Sequence, residues 1–296
     1  MQEIAELYLE SLRLEKGASP NSVEAYSRDL ARFVKHFKSK KPDDLSSLDI
    51  TDFILKLQQD GLSTGSIARN LSAIKGMFKY AIRTGMFKSN PAASIAGPKI
   101  YRTLPETLTI EQIIKILSLP DLSTKLGLRD KALLEFLYGT GARISEALIC
   151  RSDDLIPEMK LVRLFGKGKK ERVVPLGKAG WQAVDNYIGE ARPKLVNEKS
   201  ADYIFLGLRG NPLKRMAGWS IVKKYCTMAG ILKNVSPHTF RHSFASHLLA
   251  GGADLLAVQE LLGHADISTT EIYTHIDSDF VISEHREFHP REKWKN

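Results

Sequence analysis

The stretch SPHTFRHSFASHLLAGGADLLAVQELLGHADISTTEIYTH, residues 236–275, alternates helix starts with helix stops. Ser236-Pro237 reads as a start: a capping hydroxyl, then a proline whose missing N–H is harmless in the first turn. Phe240, Phe244 and Leu248 follow at four-residue spacing and make a buried stripe. His238 and Arg241 lie one turn apart on a neighbouring face, near the positive end of that helix, where anionic ligands are favoured. Gly251-Gly252 ends the helix, Asp254 caps the next, and Gly263 stops it. His264 therefore follows a helix C-terminus, where the chain can turn a side chain into a cleft. Ser268-x-x-Glu271 is a second capping box and opens a short helix carrying Tyr273. Taken singly these residues have plain readings: a tyrosine on a short helix packs, and a histidine after glycine is a satisfied turn residue.

Upstream, MKLVRLFGKGKKERVVPL (159–176) changes the periodicity from helical to strand-like. Leu161, Val162, Leu164 and Phe165 precede the glycines, and Val173, Val174 and Leu176 follow, which predicts a β-hairpin. Its turn is loaded with Lys167, Lys169 and Lys170; such a turn is either a device for presenting a lysine or simply a soluble tip. Before it, a helix through Arg129–Tyr138 is punctuated by Gly139-Thr-Gly141. Arg143 and Glu146 then fall three apart and share one helix face. Thr109-x-x-Gln112 is a capping box at the head of this half. Further helices are expected near 178–190 and 215–230.

The first hundred residues read as four helices. Ile4, Leu7, Tyr8, Leu12 and Leu14 mark the first; Ser19-Pro20 opens the second, through Phe37. The third runs around Ile50–Gln59, and the fourth from about Thr64 to Thr84, with Gly85 beyond its end. On the fourth, Arg69, Lys75, Lys79 and Arg83 interrupt the apolar stripe, either to grip phosphates or as a solvated face. From Asn90 to Glu106 the period lapses in NPAASIAGPKIYRTLPE, with a linker at its core. The expected organisation is a helical domain over 1–97, a linker over 98–107 and a second domain over 108–296. The fold class is mainly α with a small β-sheet: a four-helix domain followed by an α+β domain.

Composition bounds what such a chain does. The 296 residues carry a net charge of +9, which favours a polyanionic partner without identifying it. Residues 1–97 account for +3 of that, so neither half is a basic tail. Cys150 and Cys226 stand apart in apolar settings and read as buried thiols; the sequence offers no Cys/His or acidic cluster with metal spacing, so no metal and no cofactor is expected. There is no signal-peptide pattern and no apolar run of membrane-spanning length, which predicts a cytoplasmic protein.

The set GARISE, GKGKKER, HTFRH, LLGH and TTEIYTH, in this order, resembles the tyrosine recombinase (phage integrase) family, and within it the bacterial Xer branch. The resemblance spans the catalytic domain and extends to the helical domain, which in the family is a SAM-like, DNA-binding core domain. It implies a site-specific recombinase that breaks and rejoins DNA through a 3′-phosphotyrosyl link and a Holliday junction, without cofactor. Tyr273 would be the nucleophile, and Arg143 and Arg241 would hold the non-bridging phosphate oxygens. Lys167 would protonate the leaving 5′-oxygen, with Lys169 its nearest competitor. His238 would assist proton transfer at the nucleophile and His264 would hydrogen-bond the phosphate. Glu146 would orient a histidine or arginine of the site.

The implied partners are a double-stranded recombination site, a homo- or hetero-tetramer on DNA with a sister Xer recombinase, and a DNA translocase of the division septum, acting in chromosome-dimer resolution. The tail from Asp277, with Phe280, Val281 and Phe288, would dock on a neighbouring protomer or on its own domain. Two alternatives stand beside this: a mobile-element integrase with the same chemistry, and a catalytically silent DNA-binding protein on the same fold.

Overall fold

The computed structural model describes residues 1–15, 17–98, 107–166, 170–231, 235–263 and 278–293. The chain forms two compact units, Met1–Thr103 and Leu104–Asn296. In the described residues no helix is long and apolar enough to cross a membrane.

The first unit holds α1 (Gln2–Leu14), α2 (Pro20–His36), α3 (Ser47–Gln59) and α4 (Thr64–Arg83). Local capping sets their starts. The side chains of Ser19 and Ser63 accept from the backbone of Ser22 and Ser66, and Ser46 and Asp49 form a reciprocal capping box. That box explains why α3 begins ahead of the expected Ile50. Phe33 is fully buried, with edge-on contacts to Phe37, Phe53 and Phe78 at 5.0, 5.4 and 6.2 Å. Edge-to-face packing of this kind adds to what burial alone contributes.

In the second unit α5 (Ile110–Ser118) starts at the Thr109–Gln112 box, with both of its hydrogen bonds formed. The central helix is α6 (Lys125–Thr140), apolar on nearly every face from Ala132 to Tyr138, as a helix wrapped by neighbours must be. It is followed by α7 (Ile144–Ile149) and a three-stranded antiparallel sheet: β1 (Leu155–Ile156), β2 (Leu161–Phe165) and β3 (Glu171–Pro175), in the order β1-β2-β3. The hairpin register pairs Leu161 with Pro175 and Phe165 with Glu171. Then come α8 (Lys178–Asn186), α9 (Arg215–Met228), α10 (Pro237–Gly251), α11 (Leu255–Leu262), α12 (Ser278–Phe288) and α13 (Pro290–Lys293). Past α8 the chain runs on through a π-turn, Tyr187–Ala191, so helical structure extends to the expected 190 in altered form. Cys150 and Cys226 are both buried free thiols, and burial pushes the Cys226 thiol up to about 12.

The tail, over 278–293, packs on its own unit. Arg291 forks onto Glu135 of α6, its Nε 2.9 Å from Oε2, and Lys131 Nζ lies 2.9 Å from the same carboxylate. Glu135 is fully buried, so removing its charge strands Arg291 in a low-dielectric setting. Glu135→Gln is expected to cost about 3–5 kcal/mol, read as a lowered urea midpoint.

A second test of this docking is its pH dependence. His285 is fully buried, its Nε2 2.7 Å from Gly139 O, and its ring stacks on His289 at 4.7 Å. The Nε2–H donates to the carbonyl, leaving Nδ1 unpartnered. Burial holds His285 down to about 4, opposed by the Gly139 contact and aided by Arg286; His289 is lowered by burial and by His285. A histidine depressed in the folded state binds its proton more readily when unfolded. Stability is therefore full above the ordinary value of 6.5 and is lost as pH falls toward 4. The loss from His285 is on the order of 3 kcal/mol. Urea midpoints at pH 7, 5.5 and 4.5 should fall more steeply for the wild-type chain than for His285→Gln, whose amide keeps a donor for Gly139.

Candidate active site

Where α6 ends, the chain must reverse beside α10. Gly141 does this with φ 61°, and a Cβ there would stand 2.5 Å from the ring of Phe244. Only glycine meets both demands. The turn delivers Arg143 to the N-cap of α7, extended at φ −68° and ψ 146°. Its backbone N–H donates to Glu146 Oε2 at 2.9 Å, and its Nη1 to Oε1 at 2.7 Å. The shared face expected from their spacing is thus an ion pair anchored at a helix start.

Glu146 is 3% exposed and has a second cation. Arg172, on β3, places Nη2 2.7 Å from Glu146 Oε2 and donates from Nε to Leu261 O at 2.8 Å. Arg241, on α10 and also buried, donates from Nη1 to Gly141 O at 2.8 Å and from Nη2 to Leu262 O. Both carbonyls are at helix C-termini, the negative ends of α6 and α11. Two guanidiniums thus meet on one carboxylate and a third, Arg241, is anchored on the neighbouring helix ends, tying together the end of α6, the head of α7, β3, α10 and the end of α11.

The electrostatics record the imbalance. Burial raises Glu146, but Arg172 and then Arg143 override it and hold the carboxyl below its usual range. Burial, and then Arg143 and Arg172, push Arg241 down to about 9, still protonated at neutral pH. His238, exposed in the first turn of α10, is lowered by partial desolvation, then by His242, Arg215, Arg241 and Arg143. An imidazole held neutral in this way can accept a proton. Among the described residues no group of three or more His, Cys, Asp or Glu is arranged to hold a metal ion. The arrangement has the chemistry to hold an anion: two helix-anchored arginines with positive charge to spare.

Of the residues expected from sequence, Arg143, Glu146 and Arg241 are brought together, and His238 lies on the same helix as Arg241, one turn away. Lys167, Lys169, His264 and Tyr273 lie outside the described residues. Lys170 is exposed at the foot of the hairpin, its carbonyl accepting from Gly166 N at 2.7 Å. In the first unit, Arg69 is forked on buried Asp29, with Nε 2.7 Å from Oδ2, and Asn70 shares that carboxylate at 2.9 Å. Arg83 pairs with Glu15 at 2.7 Å, Lys75 Nζ is 3.3 Å from Ala93 O, and Lys79 is exposed without an ion-pair partner among the described residues.

Arg172 is the member that sequence reasoning missed. Alternation along Glu171-Arg-Val-Val-Pro puts it on the same strand face as Val174, which is fully buried. A charged residue on the inward face of a strand was the available signal, masked by the lysines beside it.

The phage integrase family model matches residues 106–279, and the phage integrase N-terminal SAM-like domain matches 5–85. Tyrosine recombinase XerD of Chlorobaculum tepidum is 46% identical over 97% of this chain and 96% of its own length. The protein of that name from Listeria innocua is 43% identical over 98% and 100%. Two solved structures share the fold. The first is a lambda integrase dimer bound to a core site, with TM-score 0.72, 17% identity and coverage of 94% of this chain and 98% of that one. The other is the XerH site-specific recombinase bound to a palindromic substrate, with TM-score 0.71, 22% identity and coverage of 97% and 82%.

Proposed function

The chain belongs to the phage integrase family and is a site-specific tyrosine recombinase, and from that premise we propose that it cuts and rejoins duplex DNA with Tyr273 as nucleophile. The observation that carries this assignment of parts is the surplus of positive charge around Glu146, where among the described residues Arg143 and Arg241 have no second carboxylate to neutralise them. Tyr273 Oη attacks the scissile phosphorus and the P–O5′ bond breaks, leaving a 3′-phosphotyrosyl link and a free 5′-hydroxyl. Arg143 and Arg241 hold the non-bridging oxygens as charge builds on them. Lys167 gives its proton to the departing 5′-oxygen. Lys169 is its nearest rival for that step. His238, neutral before substrate arrives, takes up the tyrosine proton, and His264 hydrogen-bonds the phosphate. Because the covalent link conserves the bond, the 5′-hydroxyl of a partner strand reverses the step without an energy source.

Lys75, Lys79, Arg83 and Lys170 are proposed phosphate contacts, while Arg69 acts through Asp29 by fixing α4 against α2. Such contacts steer and position the duplex and carry no sequence information of their own. The relatives named XerD support a cytoplasmic role in chromosome-dimer resolution. In that role four protomers, with a sister recombinase, exchange strands through a Holliday junction under a septal DNA translocase. The test is a site nicked just 3′ of the scissile phosphate, so that the short released strand diffuses away and the adduct accumulates. A protein–DNA band that survives denaturing electrophoresis is expected; nicking with no protein attached would contradict the reading.

A further inference from the structure

A buried carboxylate beside Arg143 poses a problem for a phosphate clamp. Alone with Arg143, Glu146 would offset the charge that the clamp needs, because the carboxylate itself is 3% exposed and little water screens it. Arg172 removes the difficulty. It meets the same carboxylate at 2.7 Å, and its Nε is fixed on Leu261 O at the end of α11. The three arginines and Glu146 together carry a net two positive charges. In-line displacement raises the charge on the phosphoryl oxygens from one negative toward about two.

We propose that Arg172 is a positioning residue for the cleavage step: the counter-ion of Glu146, which keeps the charge of Arg143 available to the phosphate. The inference rests on the reading of the cluster as a phosphate clamp.

Two features mark Arg172 as more than packing. It occupies the inward face of β3, across from Leu164, where an apolar residue would be the ordinary occupant. A buried ion pair seldom stabilises a fold better than a hydrophobic replacement would, so its presence calls for another reason. The neighbouring chain is also shaped around it. Gly263 has φ 64°, and a Cβ there would come within 3.1 Å of Arg172 Cδ and Nη1. The end of α11 thus closes directly on this guanidinium.

The experiment compares single-turnover cleavage of the nicked site by wild type, Arg172→Met, Arg172→Lys and the double variant Arg172→Met with Glu146→Gln. Arg172→Met keeps the apolar stem and removes the cation; cleavage should slow about 10²-fold with duplex binding unchanged. Arg172→Lys keeps the charge and loses the fork, and should remain within about tenfold of wild type. Adding Glu146→Gln to Arg172→Met removes the carboxylate left without its counter-ion, so the double variant should recover at least about tenfold. A packing role predicts the reverse, because the second change removes further contacts. A double variant no faster than Arg172→Met overturns the proposal, as does Arg172→Lys slowed as much as Arg172→Met, in proteins with wild-type melting curves. Should Arg172→Met not melt cooperatively, Arg172→Gln replaces it in the same comparison. A wild-type chain that forms no adduct removes the recombinase chemistry and this inference with it. A wild-type adduct with an unrescued double variant removes the role of Arg172 alone.

Discussion

Tyr273→Phe is expected to abolish the covalent protein–DNA adduct, by about 10⁴-fold or more, while leaving duplex affinity nearly unchanged. The substitution deletes one oxygen and keeps the ring. In the proposed mode of binding, affinity comes from phosphate contacts that are not assigned to that oxygen. Rate, by contrast, depends on it in the proposed mechanism, where that oxygen forms the bond to phosphorus. Gel-shift titration and denaturing electrophoresis on the same nicked duplex separate the two quantities. An adduct that survives Tyr273→Phe would take the nucleophile away from residue 273.

Arg241→Ala should have the next largest effect, and a double one. Its guanidinium holds the carbonyls of Gly141, the cap of α6, and Leu262, the last residue of α11, in a buried setting. Deleting it leaves both without their buried partner, at about 1–3 kcal/mol each, so the urea midpoint should fall. Below the melting range, cleavage should still be slower by about 10²–10³-fold, the usual consequence of removing one charged stabiliser of a developing oxyanion. Arg241→Lys cannot reach both carbonyls from one ammonium and should recover only part of either loss. A folded Arg241→Ala chain that cleaves at the wild-type rate would contradict the clamp.

How far these parts were legible in sequence follows from the range of the interactions that make them. The helix starts were readable because a cap is decided within a few residues. Thr109 with Gln112, Ser19 before Pro20, and Asp254, whose side chain accepts from Leu256 and Ala257, all formed as their spacing predicted. Gly141, Gly252 and Gly263 adopt the left-handed conformations that helix ends require. The Arg143–Glu146 pair was likewise local. What spacing could not supply was partnership across the chain. Arg172 meets Glu146 from another element, Arg291 meets Glu135 from the far end of the sequence, and Asp29 pairs with Arg69 in a row that sequence left open between a phosphate grip and a solvated face. Each is a charge that looks solvated in sequence and turns out to be neutralised in the fold. His285 and His289 were hidden for the same reason: in a polar tail of mixed charge nothing local marks two histidines for complete burial.

The proposed chemistry turns on a phosphotyrosine bond at one residue, and that bond can be mapped. Wild-type protein is incubated with the nicked site, the adduct is purified under denaturing conditions, and protease and nuclease digestion leave a short nucleotide on one peptide for mass spectrometry. The account predicts a single modified peptide spanning Glu271–His275, with the 3′-phosphate on Tyr273. A nucleotide on any other residue, a 5′-linked phosphate, or cleaved DNA with no peptide attached would contradict it.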